Sequence, residues 1–295
     1  MHSVNYVRNE KGWQFVLARV IIYLLLAITA LYFLMPLVIM LMTSLKSLDE
    51  IKSGTLISLP ETITFAPWAE AWSSACIGPI CEGIKPYFIN SIIITIPAVL
   101  ISSIIGAING YVFSKWKFKG SDIIFSSLLF GCFIPFQVIL LPMSQTLGSL
   151  GLAGSVWGLI MVHIIYGVAF TTLFFRNFYV SIPTELINAA KVDGAGFFRI
   201  FFKILLPVST PIFMVCVIWQ MTQIWNEFLF GVTFAGSDAQ PVTVALNNLV
   251  NSTSSVKQYN VDMASAIIAV APTLVAYVLS GKYFVKGLMA GAVKG

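Results

Sequence analysis

The chain has 295 residues, of which 58% are hydrophobic and only 10% are charged, with a mean hydropathy of +0.90. A soluble globular domain has about 25% charged residues, so this composition excludes that class. The formal net charge is +5.

Long uncharged windows indicate membrane-spanning helices, because roughly 20 apolar residues cross a bilayer core as a helix. One window of 53 residues is long enough for two crossings, and the glycine-rich stretch TLGSLGLAGS at 146–155 divides it. The sequence therefore predicts an all-α polytopic fold with six transmembrane helices. The windows are 20–42, 86–114, 123–175, 204–226 and 263–281.

The basic residues predict the orientation, since Lys and Arg concentrate in cytoplasmic segments. With both termini in the cytoplasm, 13 of the 17 Lys and Arg residues are inside and four are outside. This distribution accounts for the positive charge without nucleic acid as a partner. The inside residues are Arg8, Lys11, Arg19, Lys115, Lys117, Lys119, Arg176, Lys191, Arg199, Lys203, Lys282, Lys286 and Lys294, and the outside residues are Lys46, Lys52, Lys85 and Lys257.

The sequence offers little for catalysis or ion coupling. The two histidines, His2 and His163, do not form a metal-site spacing with cysteines. Paired carboxylates, a nucleophile elbow and a phosphate-binding loop are absent from the sequence. We interpret His163 as a packed polar residue rather than a proton relay. An autonomous carrier driven by protons or sodium is the alternative, and any ATP must be hydrolysed by a partner.

Two cysteines lie in the first outside loop, in the stretch ACIGPICEG. Cys76 and Cys81 are separated by Gly78 and Pro79, which turn the chain. A disulfide persists outside the cytoplasm. A bridge between Cys76 and Cys81 and two free thiols both fit the sequence.

A polar segment, about 183–194, lies between the predicted fourth and fifth helices and on the cytoplasmic side. Pro183 suits a first helical turn, and Glu185 lies near the positive end of the helix dipole. Ala189 and Ala190 leave a smooth face that suits docking in a groove. Gly194 can adopt the left-handed conformation that ends a helix.

At this segment the chain resembles the permease subunits of binding-protein-dependent ABC importers. The stretch NAAKVDGA followed by ILLP is similar to their cytoplasmic E-A-A-x-x-x-G signature, with Asn188 in place of the usual Glu. The stretches TSLKSLDEI, YFINS and WNEFLF are similar to the carbohydrate-uptake branch, in particular to the smaller permease of maltose-type transporters. This resemblance implies the type I importer permease fold and a location in the bacterial or archaeal inner membrane.

The resemblance also implies the partners and their cofactors. It implies two ATP-binding subunits that bind ATP and Mg²⁺, a second and non-identical permease, and an external solute-binding protein, while this chain binds no cofactor and catalyses no reaction. The polar segment is then a coupling helix that docks on an ATPase, and Glu185 can replace the charge that Asn188 lacks, because the two share a face. The implied coupling residues are Glu185, Asn188, Ala189, Ala190, Asp193 and Gly194.

Polar residues in the predicted helices are candidates for the solute path, because amides and aromatic rings bind sugars. A contact with the second permease is the other interpretation. The candidates are Gln137, Trp219, Gln220, Gln223 and Asn226.

Small residues and prolines shape the predicted helices. Gly106 and Gly110 form a GxxxG face that favours close helix packing. Pro135 and Pro142 are expected to kink the third helix, and Pro207 is expected to open the fifth.

The predicted organisation has three parts: an amino-terminal helix and outer loop at 1–85, a permease domain at 86–284, and a tail at 285–295. The expected solute is a sugar, such as the monosaccharide glucose. A polyol or a sulfonated sugar is the alternative.

Overall fold

The computed structural model describes residues 12–55, 57–252 and 256–292. Within these ranges the secondary structure is helical, apart from isolated bridges between Ile77 and Ile80 and between Gly154 and Ala235. The predicted all-α class is therefore confirmed. The helices are α1 (Trp13–Ser44), α2 (Leu48–Ser53), α3 (Ala66–Ser73), α4 (Lys85–Lys115), α5 (Ser121–Cys132), α6 (Phe136–Ser149), α7 (Val156–Val180), α8 (Thr184–Val192), α9 (Phe197–Ile200), a π-helical segment (Phe201–Leu205), α10 (Leu206–Val208), α11 (Thr210–Trp225), α12 (Leu229–Phe234), a 3₁₀ turn (Ser237–Ala239), α13 (Val242–Val250) and α14 (Tyr259–Ala292).

Four of these helices are long and apolar enough to cross a membrane. Two further pairs of helices pass the same test together, although each pair is bent sharply at a break. The described residues thus contain four candidate spans, or six if each bent pair is one span. The four are Phe15–Ser44 within α1, Lys85–Lys115, Val156–Val180 and Tyr259–Ser280 within α14.

The bends differ from the predicted kinks. The axes of α5 and α6 meet at 104°, and Pro135 caps α6 in an extended conformation, so the chain breaks there instead of bending within one helix. Pro142 lies inside α6, which continues without a break to Ser149. The segment Phe197–Val208 meets α11 at 79°. Helix α11 begins at Thr210, beyond this bend, and Pro207 lies in the short helix α10, so Pro207 does not open α11 as predicted.

The packing of α4 against α7 is the most extensive helix contact in the fold. A Cβ atom at Gly106 would lie 2.1 Å from Thr171 Oγ1, and one at Gly110 would lie 2.6 Å from Phe175 Cβ. Both distances are below van der Waals contact, so only glycine permits this approach. The predicted close-packing face is confirmed. His163 of α7 is 7% exposed beside the Phe230 ring, as expected of a packed polar residue.

Helix α1 packs mainly against α14, and most of its side chains are exposed. Its end is held by two side-chain hydrogen bonds. Trp68 Nε1 donates to Ser44 Oγ at 3.2 Å, and Asn260 Nδ2 donates to the carbonyl oxygen of Lys46 at 3.0 Å. These contacts join α1, α3 and the start of α14 at the end of the molecule opposite α8.

Helix α14 continues to Ala292 and therefore includes most of the segment predicted as a tail. Residues 1–11 and 293–295, which contain Arg8, Lys11 and Lys294, lie outside the described residues. The predicted orientation of the termini stays a prediction.

Candidate functional site

Helix α8 is a short polar helix that follows the end of α7. Pro183 precedes it in an extended conformation, and the helix begins at Thr184, one residue later than the sequence predicted. Gly194 has a φ of +75°, and its N–H donates to the Lys191 carbonyl at 3.0 Å. The left-handed helix end predicted at Gly194 is therefore present.

The inner face of α8 is buried in the transmembrane core. Ile187 is fully buried, and Ala190 is buried beside it. Ala190 therefore does not belong to the free face that was predicted for both alanines, because it packs against this chain. These side chains anchor α8 to a core cluster formed by Ala107, Tyr111, Phe175, Tyr179, Ile182, Ile200, Phe201, Leu205 and Cys216.

The outer face of α8 is exposed and carries most of the predicted coupling residues. Glu185, Asn188 and Ala189 are exposed there, and Asp193 is exposed where the helix ends. Val192 adds an apolar side chain that is 87% exposed. This face thus combines a carboxylate, an amide and apolar contact area, as expected of a surface that meets another protein.

Two lysines fix α8 against the end of α4. Lys115 Nζ donates to the Ile182 carbonyl at 2.5 Å and to Thr184 Oγ1 at 3.2 Å. Lys191 Nζ lies 4.2 Å from the centroid of the Trp116 ring, a cation–π contact. We missed these roles in the sequence, where Lys115 and Lys191 were interpreted only as cytoplasmic charge that sets the topology.

Aromatic stacking continues the attachment beyond α8. Phe197 of α9 stacks on Tyr111 of α4, with ring centroids 4.7 Å apart. Ser209, at the bend before α11, donates through Oγ to the Tyr179 hydroxyl at 3.0 Å. The segment that carries α8 is therefore joined to α4, α7 and the start of α11.

The polar residues predicted for the solute path separate into two groups. Trp219 lies half-buried against Phe170 and Phe174, while Gln223 and Asn226 are exposed on α11 and at its end. These three form a stripe that is half-buried at Trp219 and exposed at Gln223 and Asn226. The remaining two candidates lie elsewhere.

Gln220 is 2% exposed, and its Nε2 donates to Ser102 Oγ at 2.8 Å. The structure thus assigns Gln220 to the packing of α11 on α4 and not to a surface that a solute reaches. Gln137 is exposed in the first turn of α6, next to Phe136, which packs on Tyr166 and Phe230.

The stretch WNEFLF forms a turn rather than the end of a long helix. Helix α11 ends at Trp225, and α12 begins at Leu229. The Glu227 carboxylate accepts hydrogen bonds from the backbone N–H groups of Phe230 at 2.8 Å and Gly231 at 3.2 Å, and so caps α12. Glu227 is therefore a structural capping residue.

The opposite end of the molecule carries the cysteine loop. Cys76 and Cys81 are joined by a disulfide in the structure. Ile84, which follows this loop, is fully buried and belongs with Ala71 and Val261 to a cluster under the outer loops.

Residues 87–286 match the family described as binding-protein-dependent transport system inner membrane component. The matched region includes α8 and all five path candidates. The chain belongs to this family. This permease family is the one that the sequence motifs indicated, so the resemblance is confirmed. Members of this family are inner-membrane components of transport systems. Together with the several apolar helices, this membership indicates that the chain is a multi-pass membrane protein.

Curated relatives of this permease carry transport names. A probable ABC transporter permease protein of Pyrococcus horikoshii is 46% identical over 167 residues, which cover 56% of this chain and 60% of that protein. The xylose/arabinose import permease protein XacI of Haloferax volcanii is 32% identical, with 94% of each chain covered. The glucose import system permease protein GlcU of Saccharolobus solfataricus is 34% identical over 91% of this chain and 92% of that protein.

A solved structure shares the fold of this permease. It is a crystal structure of a bacterial ABC transporter involved in the import of the acidic polysaccharide alginate. The TM-score is 0.81 at 20% sequence identity, and the match covers 94% of this chain and 100% of that chain. The importer permease fold is thus shown.

Proposed function

We propose that this chain is one permease subunit of an ATP-driven sugar importer and that α8 couples it to an ATPase. The observation that carries the proposal is that α8 has one buried face and one exposed face. Its inner face, Ile187 and Ala190, is locked into the transmembrane core, while Glu185, Asn188 and Ala189 face outward. A helix held in this way transmits movement of a docked protein to the membrane helices as a rigid body.

The partners follow from this role. Two ATP-binding subunits bind ATP and Mg²⁺ and hydrolyse the ATP, and an external binding protein delivers the solute. A second, non-identical permease completes the path, and this chain itself performs no chemistry. The membrane is that of a bacterial or archaeal cell. Membership of a binding-protein-dependent transport family supports this set of partners.

The docking of α8 is tested by reversing one charge on its outer face. Glu185→Lys is expected to reduce copurification of the ATPase, because a reversed charge at a partly desolvated interface costs about 1–3 kcal/mol, or roughly 5- to 150-fold in affinity. Asn188→Ala removes a neutral hydrogen-bonding group and costs about 1 kcal/mol. The amounts of copurified ATPase and of coupled ATP hydrolysis are the measurements.

The matched control is Glu61→Lys, which reverses an exposed acid in the loop before α3, at the opposite end of the molecule. It should leave the copurified ATPase unchanged. Equal copurification by Glu185→Lys and Glu61→Lys would reduce α8 to a connector and would remove the main support for coupling through it.

The sugar assignment is supported by the names of the relatives and by the stripe on α11. A path between two permeases must be lined by residues that a solute can reach, and Gln223 and Asn226 are exposed while Trp219 is half-buried in the same stripe. The aromatic ring offers a face for a sugar ring, and the amides offer hydrogen bonds to hydroxyl groups. We include these three residues in the proposed path and leave out Gln220, which is buried.

The path is tested with labelled glucose, xylose and arabinose in vesicles that contain the assembled transporter. Gln223→Leu should lower transport about tenfold, since the lost hydrogen bonds leave a polar solute unpaired, while the amount of copurified ATPase stays normal. Gln145→Leu, in α6, is a control on an exposed glutamine outside the stripe. Normal sugar transport by Gln223→Leu would exclude this stripe from the path.

A further inference from the structure

A buried lysine lies at the end of α1 that is remote from α8. Lys46 follows the last turn of α1 and is only 2% exposed. Its Nζ donates to Ser58 Oγ at 2.8 Å. A lysine ammonium has three N–H donors, and lysine is almost never fully buried unless it is paired with an acceptor. The position of Lys46 therefore requires an explanation.

No acid among the described residues forms an ion pair with Lys46. Among the residues that the structure describes, ion pairs join Lys117 to Asp122 and Lys257 to Asp262. Glu50, four residues further along the chain, accepts the backbone N–H of Glu61 through Oε1, and its Oε2 is buried without a hydrogen-bond partner, so this carboxylate forms no ion pair with Lys46. Burial of a cation is costly unless an anion accompanies it. Lys46 is therefore a buried ammonium without an ion-pair partner among the described residues.

Lys46 lines a cavity of about 520 Å³ between α1 and α14. The carbonyl oxygen of Lys46 accepts a hydrogen bond from Asn260, which fixes the backbone beside the cavity. The polar end of the cavity contains Lys46, Thr43 and Thr55, and the remainder is apolar. The apolar and aromatic lining is Met35, Pro36, Ile39, Met40, Ile51, Tyr259 and Met263.

The part of α1 that lines the cavity is about as long as one leaflet of a bilayer is thick. Met35 precedes the end of α1 by nine residues, which is about 14 Å along a helix. Half of a bilayer's apolar core is about 15 Å. Met35 and Tyr259 are 51% and 50% exposed, so the cavity can be reached from the membrane. Methionine side chains also adapt readily to a flexible apolar ligand.

We infer that this cavity binds one anionic phospholipid, with its phosphate on Lys46 and an acyl chain between α1 and α14. The phosphate supplies the negative charge that pairs with Lys46, and the apolar lining of the cavity covers the acyl chain. The lipid joins α1 to the rest of the protein, because α1 otherwise contacts mainly α14. A free phosphate fills only the polar end and leaves the apolar part of the cavity empty.

The inference is tested with the protein purified from membranes together with its copurifying subunits. Native mass spectrometry counts the phosphatidylglycerol molecules retained by wild type, Lys46→Met, Lys46→Arg and Lys52→Met. Lys46→Met keeps the length and apolar stem of lysine, and Lys52 is an exposed lysine on the neighbouring α2. Lys46→Met should bind phosphatidylglycerol about tenfold more weakly, because a hydrogen bond to a charged group contributes roughly that factor.

Lys46→Arg and Lys52→Met should retain the lipid as wild type does. Equal retention by wild type and Lys46→Met would overturn the inference. Met35→Trp, which fills the apolar part and leaves Lys46 intact, should also reduce retention, so the test survives if Lys46→Met fails to fold. Full retention by Met35→Trp would contradict the placement of the chain.

The source of the phosphate is decided by thermal denaturation. Phosphatidylglycerol vesicles should raise the denaturation temperature of wild type but not of Lys46→Met, while phosphatidylcholine vesicles, inorganic phosphate and glycerol phosphate should have no such selective effect. Equal protection by inorganic phosphate would make this a free-anion site. Crosslinking of Met35→Cys to a second permease, with no lipid retained, would show that protein fills the cavity. Either result would overturn the lipid assignment.

Discussion

Replacing Gly110 by alanine tests the contact between α4 and α7 on which the position of α8 depends. The added Cβ would lie 2.6 Å from Phe175 Cβ and 2.7 Å from the backbone nitrogen of Arg176. Carbon atoms in contact are about 3.5–4.0 Å apart, so α7 must move outward by about 1 Å. Overpacking of this kind costs about 1–3 kcal/mol. Because α8 follows the end of α7, the same displacement should weaken coupled ATP hydrolysis.

The control is Gly148→Ala in α6, where an added Cβ meets no atom within 4 Å. Both substitutions gain the same helix propensity, up to about 1 kcal/mol, so the difference between the two variants isolates the steric cost. Reversible unfolding in mixed micelles, followed by tryptophan fluorescence, measures that difference. If Gly110→Ala is as stable as Gly148→Ala, the close approach of α4 and α7 is wrong.

Three further predictions concern α8 and the topology. Ile187→Ala should destabilise the protein by about 2–5 kcal/mol in the same unfolding assay, because it opens a cavity under α8. Val192→Ala, on the exposed face, should change the free energy of unfolding by less than about 0.5 kcal/mol. Equal effects of the two substitutions would mean that α8 is not anchored as described. Gly194→Pro should abolish coupled hydrolysis, since proline fixes φ near −65° where the native φ is +75°; normal coupling would show that the helix end is not required. For the topology test, single cysteines are placed at Lys119 and Ser237 in a background without native cysteines. An impermeant maleimide should label Lys119→Cys and Ser237→Cys from opposite sides of the membrane. Labelling of both from the same side would refute the six-span topology.

The sequence predicted the apolar spans because the length of an apolar segment is a local property of the chain. The GxxxG pattern at Gly106 and Gly110 and the helix end at Gly194 were also visible, since glycine has few substitutes in such geometry. Each of these features depends on a few neighbouring residues. For that reason composition and spacing were enough to find them.

The features that sequence reasoning missed depend on contacts between distant residues. The sharp break at Pro135 could not be predicted without knowing where α6 packs, because Pro142 in the same apolar window does not interrupt its helix. Gln220 has a side chain that suits a solute path. Its burial is shown only by its contact with Ser102, which is 118 residues away in the sequence but adjacent in the fold. The burial of Lys46 depends on Asn260 and on the packing of α14, which no local pattern reveals.

The pairing of α4 with α7 also determines when the protein can fold during synthesis. Gly106 and Thr171 are 65 residues apart in the sequence, and so are Gly110 and Phe175. Ribosomes add about 5–20 residues per second, so the narrow glycine face of α4 stays without its partner for roughly 3–13 s after it enters the membrane. During that interval α5 and α6 must insert without separating the two helices permanently. A defect at this interface should therefore appear first as a low yield of inserted protein, before any loss of transport is measurable.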